Sequence, residues 1–321
     1  MKISAAQPFA SDRSSRPRVG LPRALLYHRY GTLWESFLRG LGLDVVVSPP
    51  TDVEIARRGD ALAPDEACLP VKLFLGHVAT LADEVDFVFA ARLVSVRRRE
   101  ENCQKFMGGY DLIANTLPGV PLLTYTVDMR WRQRERPAMC AMGARFAGAP
   151  RVLASYARAK ARQLASELEA RRREADVLAA RDGRPKVLLV GHSYVAEDAL
   201  IGEPVERLLR REGLDVVRAE PFGRGRARGA RRISRDLYWT YSRELLGAVA
   251  DAGERVDGIV FLTSFPCGPD SLVTELCRLK LTRAPALELV LDGFYSDVGL
   301  QTRVESFADI VKAKAAPRGA A

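Results

Sequence analysis

The sequence predicts an α/β fold made of two Rossmann-like lobes with mainly parallel sheets. Short β-branched apolar runs alternate with longer segments that have the apolar spacing of helices, and this alternation occurs on both sides of a long segment rich in Ala, Glu and Arg. The runs are apolar throughout, which is typical of parallel strands that are covered on both faces. With 321 residues, of which 47% are hydrophobic, the chain is long enough for about two domains.

Four segments follow from this organisation. The first lacks apolar periodicity and is predicted to be a flexible tail. The third has helical composition, with no Gly or Pro between Pro150 and Ala180, and is predicted to be a helical connector between the lobes. The predicted boundaries are 1–15 for the tail, 16–130 for the N-terminal lobe, 131–183 for the connector and 184–321 for the C-terminal lobe.

Individual elements are predicted from apolar spacing and from Gly and Pro at their ends. The predicted strands are 18–23, 44–48, 85–90, 121–125, 186–192, 214–217, 256–262 and 285–291. The predicted helices are 25–41, 51–58 with Thr51 as its cap, one that begins near Val71, 150–180, 202–211, 236–252 and one after Ser271. Residues 223–232 contain Gly and Arg without apolar periodicity, so we predict an exposed loop and one candidate surface for an acidic partner.

Composition excludes several classes of protein. The net charge is +9, but the densest Arg cluster has no interleaved aromatic residues, so we expect no nucleic-acid binding. We also expect no membrane association, because no apolar run approaches the ~18 residues of a membrane span. The N-terminus lacks the apolar core of a secretory signal, which favours a cytoplasmic location. Five cysteines, an odd number, favour free thiols or metal ligation over a disulfide framework.

Three cysteines occupy similar positions in the predicted fold. Cys68, Cys103 and Cys267 each lie in a turn at the end of a strand or the start of a helix, where open α/β sheets bind their ligands. The positive end of a helix is expected to lower the pKa of a cysteine just ahead of it, which favours the thiolate. Thiolates select iron–sulfur clusters or zinc, and three of them on a four-iron cluster leave one iron open. A scatter of buried cysteines is the alternative, because no pair has the compact Cys-x-x-Cys spacing. We expect Cys140 and Cys277 to pack in the core.

Catalytic residues cannot be assigned from the sequence, but three candidates lie near predicted strand ends. His77 and His192 follow glycines at turns, and imidazole titrates near neutral pH. Ser264 follows the strand that leads to Cys267. Structural hydrogen bonding is the alternative role for both histidines, because buried polar groups must be satisfied.

Several short motifs resemble the 2-hydroxyacyl-CoA dehydratase family, which includes 2-hydroxyglutaryl-CoA dehydratase subunits, benzoyl-CoA reductase subunits and double-cubane cluster proteins. The match is strongest to its stand-alone branch of acyl-CoA dehydratase activase-related proteins. The resemblance extends from about residue 18 to residue 312. The motifs are VGLPRALLY at 19–27, VSPPT at 47–51, EACLPVK at 66–72, CQKF at 103–106, GHSY at 191–194, LYW at 237–239, FPCGPDS at 265–271 and GLQTRVESF at 299–307.

The resemblance implies an oxygen-sensitive iron–sulfur protein with its cofactor between two Rossmann-like lobes. Its motif positions imply a [4Fe–4S] cluster held by Cys68, Cys103 and Cys267 with the fourth site open, in preference to a double-cubane cluster. Two features depart from the family pattern, namely Gln104 after the second cysteine and the segment DGFYS at 292–296.

The resemblance also implies a function and partners. The chain would accept low-potential electrons from a separate ATP-hydrolysing activase, itself an iron–sulfur dimer, for a reductive or dehydratase-like reaction. A paralogous subunit or a second copy of the chain are further expected partners. A non-catalytic accessory or assembly role in the dehydratase system is the alternative function. Because the sequence has no Gly-x-x-x-x-Gly-Lys-Ser phosphate loop, we do not expect the chain itself to be an ATPase.

Overall fold

The computed structural model describes residues 16–280, 284–293 and 297–315. The predicted tail at 1–15 and part of the 292–296 segment lie outside these ranges. The predicted α/β class with mainly parallel sheets is confirmed by two four-stranded sheets, one in each half of the chain, in which every strand pair is parallel. The boundaries predicted for the domains stay a prediction.

The first sheet has the strand order β2-β1-β3-β5, and the second has the order β10-β9-β7-β8. In both sheets the strands are short and apolar, and the central strands β3, β7 and β9 are buried along their whole length. The strands are β1 Arg18–Leu21, β2 Asp44–Val47, β3 Phe87–Phe89, β4 Arg92–Ser95, β5 Leu122–Leu123, β6 Thr126–Asp128, β7 Lys186–Val190, β8 Asp215–Arg218, β9 Gly258–Ser264 and β10 Ala286–Leu291.

Helices connect the parallel strands and cover the sheets. In the described ranges they are α1 Tyr27–Leu41, α2 Val53–Leu62, α3 Leu69–Leu81, α4 Gln104–Thr116, α5 Glu135–Gly143, α6 Ala149–Ala179, α7 Ser193–Ala196, α8 Glu203–Arg211, α9 Ala219–Gly223, α10 Thr240–Ala252, α11 Gly268–Lys280 and α12 Asp297–Ala315. Two 3₁₀ turns cover Met129–Trp131 and Gly229–Arg232. None of the helices in these ranges is long and apolar enough to cross a membrane.

A small two-stranded sheet was not predicted from the sequence. Strands β4 and β6 pair in parallel, with Ser95 opposite Asp128 at their carboxyl ends. Strand β4 was not predicted because the segment 92–101 contains many charged residues. Its buried positions, Leu93 and Ser95, alternate with half-buried ones, so it lacks a continuous apolar run. Both strands are short extensions of the chain beyond β3 and β5, so this sheet continues the path of the first sheet.

Three local predictions were wrong. The cap of α2 is Asp52, whose side chain accepts a hydrogen bond from the amide of Ile55, and not Thr51. Helix α10 begins at Thr240 instead of residue 236. The 223–232 segment is not a free loop, because Arg224 is buried beside Glu220, and Arg226 and Arg232 both pair with Asp251.

The two halves of the chain contact each other through backbone hydrogen bonds. The amide of Leu69, at the start of α3, donates to the carbonyl oxygen of Phe265 at 3.3 Å. Glu101 forms a parallel bridge with Trp239, in which its amide donates to the carbonyl oxygen of Tyr238. These contacts bring the turns that carry Cys68, Cys103 and Cys267 to one junction.

Candidate functional site

Three helices begin directly after the predicted cysteines. Cys68 precedes α3, Cys103 precedes α4 and Cys267 precedes α11, and all three residues are half-buried. Pro70 in the first turn of α3 suits this position, because a helix start does not need the amide hydrogen that Pro lacks. The remaining cysteines differ: Cys277 is buried within α11 and Cys140 lies within α5.

Each of these helix starts directs a backbone amide toward the preceding sulfur. The amides of Val71, Lys105 and Asp270 lie near the sulfurs of Cys68, Cys103 and Cys267 and favour the thiolate in each case. Burial nevertheless has the larger effect and raises the pKa of all three thiols. The prediction that the helix ends would lower these pKa values is therefore wrong, because removal from water outweighs the amides.

One tyrosine lies near the junction of the three cysteine turns. Burial is the main cause of the raised pKa of Tyr194, and charges on Asp270 and on the three cysteines would raise it further. Tyr194 lines the same cavity as Cys103 and Cys267, and the backbone hydrogen bond from Leu69 to Phe265 joins the turns of Cys68 and Cys267. The structure therefore brings the three cysteine turns together near Tyr194, although they come from three separate parts of the sequence.

A small cavity of about 20 Å³ lies beside two of these thiols. Cys103 and Cys267 both line it, and aromatic side chains from both halves of the chain form much of the wall. Phe106 packs edge-on against Tyr194 and Tyr241, with ring centres 5.6 and 6.0 Å apart. The thiols therefore border a small space with both polar and aromatic walls.

An ion pair lies at the edge of this cavity. The Nε2 atom of His192 is 3.0 Å from Oδ1 of Asp270, and its Nδ1 atom is 3.7 Å from Glu220. Burial disfavours the imidazolium, but the two carboxylates outweigh it and raise the pKa of His192 to about 10. His192 is therefore a cation at neutral pH, and its ring stacks on Tyr194 at a centroid distance of 5.0 Å.

Two groups of this ion pair have unmet hydrogen-bonding capacity. Both carboxylate oxygens of Asp270 and Nδ1 of His192 are buried without a hydrogen-bond partner among the residues that the structure describes. The carboxylate of Asp270 also lies near the Cys267 thiol and contributes to its raised pKa. Buried polar atoms without partners are uncommon and are found where a ligand or water binds.

Glu220 connects this site to a charged cluster between the halves. It accepts hydrogen bonds from the amide and hydroxyl of Ser193 at 2.5 and 2.9 Å, and it contacts Arg29 and Arg224. These partners, together with His192, hold the pKa of Glu220 far below its usual value despite complete burial. The carboxylate is therefore ionised at neutral pH and balances the charge of His192.

His77 belongs to a different cluster. It lies nine residues after Cys68, or roughly 13 Å along α3. Its Nδ1 is 2.8 Å from the Ser48 hydroxyl and its Nε2 is 3.0 Å from the Thr51 hydroxyl, which donates to Asp198 at 2.5 Å. Burial, with the charges of His28 and Arg23, lowers the pKa of His77 to about 3. The structure therefore shows a neutral, fully hydrogen-bonded His77 away from the thiols.

Ser264 ends β9, three residues before Cys267, and is buried. Of the three catalytic candidates, His192 alone lines the cavity beside the thiols.

Sequence reasoning missed Asp270, Tyr194 and Glu220. A possible signal for Asp270 was the acidic residue in the first turn of the helix after Cys267.

The thiols do not form a site for a single metal ion. Within the ranges that the structure describes, no group of three or more His, Cys, Asp and Glu side chains could hold one ion. One ion bound at ~2.3 Å by each sulfur would draw its thiolates close together. The ligands of a four-iron cluster are spaced further apart, because each binds a different iron.

The fold and site define an α/β protein with a three-cysteine site at the junction of two parallel sheets. A family of proteins described as "CoA enzyme activase uncharacterised domain" has a sequence model that matches residues 18–221. This match covers more than half of the chain, so the chain belongs to that family. Membership implies a role alongside a CoA enzyme.

The sequence was also compared with curated proteins and the structure with solved structures. No curated protein matches the sequence. The periplasmic zinc-binding protein TroA from Treponema pallidum is 10% identical, with 94% of this chain and 99% of that chain covered and a TM-score of 0.27. A LacI family transcriptional regulator from Arthrobacter sp. FB24, in complex with lactose, is 15% identical, with 86% and 96% covered and a TM-score of 0.24.

The family match corrects the identification made from short motifs. Assignment to the 2-hydroxyacyl-CoA dehydratase family is wrong, and so is the role of an iron–sulfur dehydratase component that receives electrons from a separate activase. The alternative role as an accessory paralogue of the dehydratase system and the electron-transfer assignment are wrong for the same reason. The motifs misled because most lie at strand ends and helix starts, where different α/β families need similar Gly, Pro and small polar residues. The prediction that the chain is not itself an ATPase stays a prediction.

Proposed function

We propose that this chain is an activase-family protein that acts on a CoA enzyme and holds a [4Fe–4S] cluster through Cys68, Cys103 and Cys267. The observation that carries this proposal is the meeting of three helix starts, each preceded by a cysteine, at the junction between the two halves of the chain. The separate ATP-hydrolysing activase, a paralogous subunit and a second copy of the chain stay predictions as partners.

The chemistry of the site fits such a cluster. Thiolates are soft ligands, and three of them suit an iron–sulfur group better than a hard cation. Amides of Val71, Lys105 and Asp270 lie near the three sulfurs, and hydrogen bonds from such amides would stabilise thiolate ligands and tune a cluster. When bound, the cluster would offer one iron without a protein thiolate to an external ligand.

Side chains around the thiols have separate roles in this proposal. The raised pKa values mean that the thiols are protonated at neutral pH, so loading must release their protons. The cation His192 offsets the negative charge of Asp270 beside Cys267. Phe106, Tyr194 and Tyr241 limit access of water to the space beside the sulfurs.

Iron and acid-labile sulfide analysis of anaerobically purified protein tests the proposal. We expect about four irons and four sulfides per chain, because one cube contains four irons bridged by four sulfides. Replacing Cys68, Cys103 or Cys267 singly by Ala should remove most of the iron. Cys140→Ala and Cys277→Ala are matched controls that should retain it, since Cys277 lies inside the core of the second half.

Two outcomes would contradict this assignment. Equal iron loss in all five variants would show that iron binding depends no more on Cys68, Cys103 and Cys267 than on the two control cysteines. Stoichiometric zinc without labile sulfide would show a structural zinc site instead. Circular dichroism of each variant separates loss of ligand from loss of fold.

A further inference from the structure

An exposed basic and aromatic surface borders the thiol site. Its members are exposed and come from three turns that meet at the carboxyl ends of β4 and β6. We call it the docking face, and it consists of Arg98, Arg99, Trp131, Arg132, Arg134 and Tyr238. We propose that it binds an acidic surface of a partner protein, and this inference rests on the proposed function because the partner is the CoA enzyme.

The small sheet places two of these turns side by side. Ser95 and Asp128 are paired at the ends of β4 and β6, so the segments that follow them leave the sheet together. The Ser95 hydroxyl holds the first turn closed by hydrogen bonds to the carbonyl oxygens of Arg97 and Glu100, at 2.7 and 2.6 Å. Arg130 joins the turns by contacting Glu101 at 2.6 Å and Asp128 at 2.9 Å.

The third segment connects the docking face to the cysteines. Glu101 bridges Trp239, so Tyr238 lies next to the first turn. Trp239 lines the same cavity as Cys103 and Cys267. A partner seated on the docking face would therefore lie beside the opening to the thiols.

Charge on the docking face is not neutralised within the chain. Among the residues that the structure describes, no acidic side chain pairs with Arg98, Arg99, Arg132 or Arg134. By contrast, Arg97 forms an ion pair with Glu244, and Arg130 forms one with Asp128. A guanidinium group binds carboxylates with two parallel hydrogen bonds, so an acidic protein surface complements this face. By contrast, the arginines at 224, 226 and 232 are already paired.

Two backbone conformations support a functional role. Arg99 and Arg132 have φ angles of 64° and 59°, a region that L residues with a Cβ rarely adopt. Glycine or asparagine would relieve that strain, yet both positions carry arginine in the two adjacent turns. Strained residues of this kind concentrate at binding sites.

Exposed aromatic side chains favour a protein partner over a polyanion alone. Trp131 is 78% exposed and Tyr238 is 46% exposed, and each adjoins the unpaired arginines. Trp, Tyr and Arg are the residue types that contribute most of the binding energy in protein interfaces. Electrostatic attraction would raise the association rate and orient the partner as it binds.

A labelled 20-residue peptide of Asp, Glu and Phe serves as the probe, with the full chain titrated at low and physiological salt. We expect Arg132→Glu/Arg134→Glu to weaken binding at least tenfold, with a larger effect at low salt because screening is weaker. Arg57→Glu/Arg231→Glu is the matched control, since both arginines are exposed and unpaired among the described residues. It changes net charge equally and should alter affinity less than twofold.

Aromatic contributions need their own pair of variants. Trp131→Ala should weaken peptide binding about threefold, while Leu279→Ala, which removes another highly exposed apolar side chain, should not. Equal weakening by the two arginine double variants would overturn the proposal, because only net charge would then matter. Tighter binding of a 20-base-pair DNA or of phosphatidylserine vesicles, lost in the same variants, would also overturn it.

Iron content separates this proposal from the proposed function. The arginine variants should keep the cluster, because no member of the docking face is a thiol ligand. If they lose peptide affinity but retain iron, the docking face is confirmed whatever the cysteine variants show. If the cysteine variants retain iron while the docking variants lose affinity, the cluster assignment alone fails.

Discussion

At the residue scale, the half-buried carboxyl of Glu197 gives the protein a pH-dependent stability. Burial and the charge of Glu220 raise its pKa from 4.5 to about 7, and the attraction of Arg218 does not compensate. A raised carboxyl pKa favours folding while the group is protonated. Its contribution is therefore complete below pH 4.5 and is lost as the pH rises through about 7.

Glu197→Gln tests this effect. The variant should match the wild type in urea unfolding at pH 5, where Glu197 is already neutral. At pH 8 it should be more stable by about 1–3 kcal/mol, since the wild type then carries a half-buried charge. An unchanged difference between the two pH values would contradict the assignment.

His77 organises a directed chain of hydrogen bonds. Because the Thr51 hydroxyl donates to Asp198, it must accept from His77 Nε2, and His77 Nδ1 then accepts from the Ser48 hydroxyl. The Ser48 oxygen in turn accepts from the amide of Arg23 at 2.8 Å. The neutral ring with hydrogen on Nε2 is the form that satisfies every member.

His77→Phe should therefore lower the free energy of unfolding by about 2–4 kcal/mol, because it leaves the Ser48 and Thr51 hydroxyls short of a partner. His28→Phe is the control. The Nε2 atom of His28 is buried without a hydrogen-bond partner in the described residues, so its removal should cost less. Equal losses in urea unfolding would show that the hydrogen-bond chain adds nothing.

The residue scale also shows what sequence could predict of the site. Cys68, Cys103 and Cys267 were found because strand ends and helix starts can be read locally. Asp270, Tyr194 and Glu220 were not, because their positions in and around the site depend on five helices from distant parts of the chain. The thiol pKa direction was misjudged for the same reason, since burial is a tertiary property.

At the element scale, the helix that follows Cys68 is fixed by a close contact with α2. A Cβ atom added at Gly59 would lie 1.9 Å from the carbonyl oxygen of Lys72, and one added at Gly76 would lie 2.0 Å from that of Ile55. The two helices therefore approach backbone to backbone. This approach sets the position of α3 and hence of the Cys68 turn.

Gly59→Ala should destabilise the protein by more than about 2 kcal/mol, because the clash involves backbone that must move as a unit. Gly108→Ala in α4 is the matched control, with nothing within 4 Å of the added Cβ. It should stabilise by about 0.5–1 kcal/mol through the lower chain entropy of Ala. Thermal unfolding of both variants measures the contrast, and a neutral Gly59→Ala would refute the close contact.

Elements with strong periodicity were predicted well, and those with mixed patterns were not. The helix predicted at 150–180 is α6 at Ala149–Ala179, because its composition favours helix along its whole length. Strand β4 was missed because its charged half-buried positions hide the apolar alternation. Tertiary pairing with β6, which no local signal encodes, makes it a strand.

At the scale of the whole molecule, a buried arginine joins the two halves. Arg29 of α1 contacts Glu244 of α10 at 2.7 Å and Glu220 of α9 at 3.3 Å. Its guanidinium also lies 4.6 Å from the centre of the Tyr241 ring. Glu244 is fully buried, and its carboxylate is paired with Arg29 and with Arg97, which contacts it at 2.6 Å.

This arrangement predicts strong coupling between Arg29 and Glu244. Arg29→Met should destabilise the protein by about 3 kcal/mol, because it leaves buried carboxylates short of a cation. Glu244→Gln alone leaves Arg29 with Glu220, and should cost less. In Arg29→Met/Glu244→Gln the missing charges compensate, so the double variant should be more stable than the sum of the single losses by about 1–3 kcal/mol. Urea unfolding of the four proteins measures this cycle, and simple additivity would mean that the halves are held together by apolar packing and backbone contacts without help from this ion pair.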